Sequence, residues 1–134
     1  MSMERSLISS WIRQARYRAK RQNIHSDLKI EDVEATIAHY NNCCVYCEAE
    51  IETLDHPFPL TDTSPNIASN VVPCCKKCKS LKKSNDLVWM FTEKHLEQEL
   101  YLTILQNMFN CRDGDKIKEH VRCVTGIGEK SEEE

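Results

Sequence analysis

No run of about 18 or more apolar residues occurs in the 134-residue sequence, so no segment is expected to span a membrane. The apolar stretch of a secretory signal is also missing: Trp11 and several arginines stand near the N-terminus instead, and export is not expected. No internal repeat is visible. A positive overall charge is lacking too, since the formal net charge is -3. That total argues against a nucleic-acid partner only if the charge is evenly spread, and it is not. From Arg5 to Lys29 the basic residues number seven, against the single acid Asp27, while 129–134 is acidic. Such a polarised chain can offer phosphate one basic face.

What the sequence does have is eight cysteines, a high count for a short chain without an export signal. Two pairs are spaced Cys-x-x-Cys, Cys44/Cys47 and Cys75/Cys78, with 27 residues between them. Two tight turns of this kind bring four thiolates to one tetrahedral ion, and a structural zinc is the expected occupant. Disulfides, a redox pair and chance are the competing explanations. Cys43 and Cys74 directly precede the pairs, but shifting onto them would leave three intervening residues. Cys111 and Cys123 are expected in the core as small apolar groups. A four-cysteine site leaves no open position for water, so this metal would hold the fold and do no chemistry.

Around these pairs the sequence reads as one domain over 1–125, of α+β class. Hydrophobic residues at 40% and charged residues at 29% suit a single globular core. A basic helix is predicted over 3–22: Leu7, Ile8, Trp11, Ile12, Ala15 and Ala19 share an apolar stripe, and Arg13, Arg16 and Lys20 share another face. A second helix is expected over 30–40, stopped by Asn41 and Asn42. Short strands suit 44–60, and TDTSPNIAS at 61–69 has the composition of a polar loop. A short basic helix follows Pro73, then helices within 86–124, the next one capped by Ser84, Asn85 or Asp86. The longest has a stripe of Leu100, Tyr101, Ile104, Leu105 and Met108. Residues 126–134 are expected to be a disordered acidic tail.

TLDHPFPL lies between the cysteine pairs, and SNVVPCCKKCKSLK spans the second. With these residues the chain resembles the HNH endonucleases that carry a zinc-bound ββα-metal core. The family pattern runs Cys-x-x-Cys, Asp-His, a loop, Asn, then Cys-x-x-Cys, Asn and a downstream Lys. The matching positions are Cys44, Cys47, Asp55, His56, Asn70, Cys75, Cys78, Lys79 and Lys82, so the likeness covers about 44–83 within a core of about 43–84. ARYRAKRQNIHSDLKIEDVEATI also looks like the leader of small bacterial and phage members. A cytoplasmic setting in a bacterium or phage-infected cell is the corresponding expectation.

The resemblance implies cleavage of a nucleic-acid phosphodiester, with duplex DNA as the expected substrate. His56 would take the proton of the attacking water, since imidazole titrates near neutrality. Asp55 would hold a magnesium or manganese ion against the phosphate. Asn70 would brace the loop that orients the base. Arg13, Arg16, Lys20, Lys76, Lys82 and Lys83 are candidates for backbone contacts, which fix position without reading sequence. A solvated helix face explains the same charges.

One position departs from the pattern. The family has a metal-ligating Asn or His where this chain has Lys79, and an ammonium offers no lone pair. Either Lys79 supplies charge to the leaving group, or Asn85 substitutes as ligand, or the site is weakened. The third reading makes the chain a zinc-stapled DNA-binding module. A further alternative is an interaction subunit, a homodimer or part of a larger machine, docking through the stripe at Leu100–Met108.

Overall fold

The computed structural model describes residues 3–126, so the expected tail lies, beyond Gly126, outside the described residues. Helices surround two very small sheets. Among the described residues no helix is long and apolar enough to cross a membrane.

Helix α1 (Arg5–Arg21) buries Ile8, Ile12, Ala15 and Ala19. Leu7, expected in that stripe, is exposed, and Trp11 is half-buried. The helix stops at Asn23, whose φ of 57° is left-handed. Asn23 N donates to Lys20 O and Ile24 N to Ala19 O, satisfying the last carbonyls and folding Ile24 back onto the core. Helix α2 (Ile30–His39) ends the same way, with Asn41 and Asn42 both left-handed and Asn42 N bonded to Ile37 O. Asparagine tolerates this conformation better than most residues.

Strands β1 (Ser26–Asp27) and β3 (Asn66–Ile67) pair in parallel, Ser26 opposite Asn66. Strands β2 (Thr53–Asp55) and β4 (Val72–Cys74) pair antiparallel, Thr53 opposite Cys74 and Asp55 opposite Val72. The strands expected over 44–60 therefore shrink to β2 and one isolated bridge, Cys43 to Glu50. Between β3 and β4 runs a single 3-10 turn, 68–70.

The β2–β4 ribbon lies between two apolar clusters. Leu54 faces the one built by α1 and α2, while Val72 and Cys74 face the other. That second cluster gathers Phe58 with the helices α3 (Lys76–Lys82), α4 (Leu87–Thr92), α5 (Gln98–Phe109) and α6 (Gly114–Thr125). Leu54 and Phe58 are both wholly buried, each contributing roughly 1.5–3 kcal/mol. Asp86 is the residue that caps α4, its Oδ1 accepting from Trp89 N at 2.9 Å. In α5, Tyr101, Ile104, Leu105 and Met108 are buried as the stripe predicts.

The segment 61–69 is not the solvated loop its composition suggests. Residues from Ser64 through Asn70 are buried. Their polar groups find protein partners in place of water: Ser64 Oγ donates to Pro59 O, and Ala68 N and Ser69 N donate to the Asp113 carboxylate. Cys123 is also a correction. It is exposed, because α6 turns Ile117 and Val121 inward instead, and Cys111, ahead of α6, is only half-buried.

Candidate active site and metal centre

The two Cys-x-x-Cys turns meet. The sulfurs of Cys44, Cys47, Cys75 and Cys78 all lie within 4.8 Å of one another, a group able to hold a metal ion. A tetrahedral zinc with bonds of about 2.3 Å separates its sulfurs by about 3.8 Å, and the Cys47–Cys75 separation is 3.6 Å. Local backbone builds each turn. Cys44 N donates to Ala49 O and Glu48 N to Cys44 O, with Glu48 left-handed at φ 68°. Cys75 caps α3, its sulfur accepting from Cys78 N. Cys43 and Cys74 stay outside the quartet. The Cys74 thiol is held protonated by its bond toward Cys44 and by burial, and this donor lowers the Cys44 thiol well below its ordinary value.

Beside this centre, His56 leaves the end of β2 and is buried, with the Trp11 ring 4.9 Å from its own. Its Nε2 is 2.9 Å from Asn66 Oδ1. Asn66 donates through Nδ2 to Ser26 Oγ at 2.9 Å, so its carbonyl oxygen faces the imidazole. An oxygen can only accept, so Nε2 carries the proton and Nδ1 keeps the lone pair. Burial lowers the His56 pKa to about 4, partly opposed by Asn66 and Asp55, with Arg18 and Lys79 adding to the lowering. The ring is therefore neutral at pH 7 and can receive a proton.

Asp55 is turned the other way. Its Oδ2 accepts from Tyr46 Oη at 2.8 Å and pairs with Lys82 Nζ at 3.2 Å. Burial and the Asp55 charge keep Tyr46 protonated as a donor. Lys82 also donates to His56 O at 3.0 Å. Lys79 donates to Leu54 O at 2.6 Å, with burial lowering its pKa and Asp55 pulling it back up. Asn70 lies behind the site: its amide bonds Phe58 N, Phe58 O and Pro65 O, tying the two ends of the segment after His56 together.

A cleft of about 300 Å³ opens over these groups, lined among others by Arg18, Asp55, His56, Lys79, Lys82 and Lys83. Four cations against one carboxylate suit an anion. The structure thus gathers Asp55, His56, Lys79, Lys82 and Lys83 in one place. It does not bring Arg13, Arg16, Lys20 or Lys76 there. Arg13 and Arg16 line a separate groove against Leu28 and Lys29, and Lys76 sits at the start of α3 with its amide on Glu52. Lys82, expected among the surface lysines, is only 1% exposed, because Asp55 and a carbonyl hold its ammonium inside. Asn85 spends its amide on Lys82 O and is not among the residues lining the cleft.

Sequence reasoning missed Arg18, Asn66, Ser26 and Tyr46. Only Arg18 left a signal, since it follows Trp11 by two helical turns and so shares its side of α1.

A catalytic divalent ion does not fit these side chains. Asp55 is already paired, Lys79 has no lone pair, and among the described residues only the four cysteines gather three or more ligand atoms. No protein-family model, no curated protein and no solved structure matches the chain.

Proposed function

We propose that this chain is a zinc-stapled HNH-type endonuclease that hydrolyses phosphodiester bonds in DNA, with His56 as general base. One observation carries the reading: a neutral imidazole, its tautomer set by Asn66, faces a cleft rimmed by four cations. A base with a free Nδ1 beside an anion site is what abstraction of a proton from water near a phosphate needs. The resemblance over about 44–83 supports the substrate class, and the four clustered cysteines support zinc as the structural metal. The magnesium or manganese ion that the resemblance places on Asp55 is left out, because Lys82 is paired with Asp55 Oδ2 and Lys79 puts a second ammonium in the same cleft.

Plasmid nicking by the zinc-loaded protein tests the proposal, compared with His56→Ala. Loss of cleavage in the variant, with zinc content and fold retained, is the expected result. Equal cleavage by both proteins would remove His56 from the reaction.

The second reading is a DNA-binding module without cleavage, favoured by the engagement of Asp55 with Lys82. It predicts salt-dependent binding, as phosphate contacts require, and no nicking under any condition.

A further inference from the structure

The Asp55–Lys82 pair bears on what supplies positive charge at this centre. Asp55 is the only carboxylate lining the cleft, and its Oδ2 already receives Tyr46 and Lys82. A magnesium ion binds a carboxylate oxygen at about 2.0–2.1 Å, on the side an ammonium would otherwise approach. Lys82 cannot readily yield that place: it is 1% exposed and is also fixed to His56 O. Lys79 reinforces the effect, since its Nζ lies in the same cleft, anchored to Leu54 O. An ammonium has three N–H donors. Lys79 is half-buried and commits only one of them, so it retains donors for phosphate oxygens, while Lys82, held inside, acts through its charge.

We infer that the centre carries its own cations in place of a divalent ion, Lys82 and Lys79 together supplying the charge that a phosphodiester requires. The catalytic half of this inference rests on His56 being the base. The exclusion of metal does not. In the reaction, His56 Nδ1 takes one proton from water and the water oxygen bonds to phosphorus. The bond from phosphorus to the leaving sugar oxygen breaks, its electron pair stays on that oxygen, and solvent supplies the proton. The imidazolium then returns its proton to solvent. Lys79, Lys82 and Arg18 line the cleft in which the oxygens that gain charge would lie.

The test uses the full chain with its zinc content measured before and after. Free Mn2+ is followed by electron paramagnetic resonance during titration, and plasmid nicking is run in parallel with and without Mg2+ or Mn2+. Wild type is expected to leave the Mn2+ spectrum unchanged, and its His56-dependent nicking to vary by less than about twofold on adding either ion. Lys79→Asn removes one blocking charge and adds an oxygen ligand. It is expected to lose metal-free nicking by about tenfold or more, and it is chosen because Lys79 is only half-buried and outside the Asp55 pair. Mn2+ binding by wild type that disappears in Asp55→Asn would overturn the inference, as would nicking that needs added ion. Exclusion of Mn2+ with no nicking at all would uphold the charge assignment and defeat the endonuclease reading instead.

Discussion

Lys82 Nζ stands 3.2 Å from Asp55 Oδ2, with the two side chains 1% and 7% exposed. Taking two charges out of water is costly, and their attraction offsets that cost only when the remaining donors and acceptors are also satisfied. Here Tyr46 gives Asp55 Oδ2 a second partner and His56 O gives Lys82 one.

Removing one member should therefore hurt more than removing both. Lys82→Met leaves a buried carboxylate unpaired and should lower stability by about 3–5 kcal/mol. Asp55→Asn combined with Lys82→Met removes the stranded charge and should recover most of that loss. Urea unfolding of the three proteins measures it. Equal stability of the single and double variants would mean the pair is not coupled.

His56 predicts a pH dependence of stability. Its folded pKa of about 4 lies below the ordinary 6.5, so between those values the unfolded chain binds the extra proton. The contribution is present in full above pH 6.5 and disappears as pH falls toward 4. Its size is on the order of 3 kcal/mol. Acid also releases zinc from thiolates, so the quantity to measure is the difference between wild type and His56→Gln across pH 4–7. A difference that stays flat would contradict the burial of the imidazole.

Metal analysis of cysteine variants should divide the eight residues cleanly. Cys44→Ser and Cys78→Ser are expected to lose a stoichiometric zinc and much of the thermal transition, since folding and metal binding are linked in such sites. Cys111→Ser and Cys123→Ser should keep both. Zinc retained in Cys78→Ser would show that the quartet is not the binding site.

Asn66→Ala tests the orientation of the base. It frees Nε2, lets either tautomer form, and leaves Ser26 Oγ without its donor. Nicking should fall by about 10²-fold in kcat with KM nearly unchanged, because general-base catalysis and not substrate binding is lost. Ser26→Ala, one bond further back, should show the same pattern more weakly. A change confined to KM would place Asn66 at the substrate instead.

Much of the local structure was legible because it depends on near neighbours. Asn23 and Asn41 end their helices by their own backbone preference, and the Cys-x-x-Cys spacing alone brings each sulfur pair together. What escaped depends on distant partners. Helical spacing shows that Arg13, Arg16 and Lys20 share a face, but not that α1 turns Trp11 and Arg18 toward His56. The resemblance singles out Lys82 among the lysines after Cys75, but its burial, which Lys83 does not share, comes from the distant Asp55. The polar run 61–69 resembles a surface loop because nothing nearby reveals Asp113, more than forty residues later, as the acceptor for its amides.

That last contact has a temporal meaning. A chain made from its N-terminus cannot give the segment behind His56 its final anchor until residue 113 has been added, and α6 must then form before Thr63 can meet His120. The residues lining the pocket are all made by Ser84, yet the latch that sets them comes only with residue 113. A growing polypeptide is thereby kept from having a finished cleft until α6 has been made.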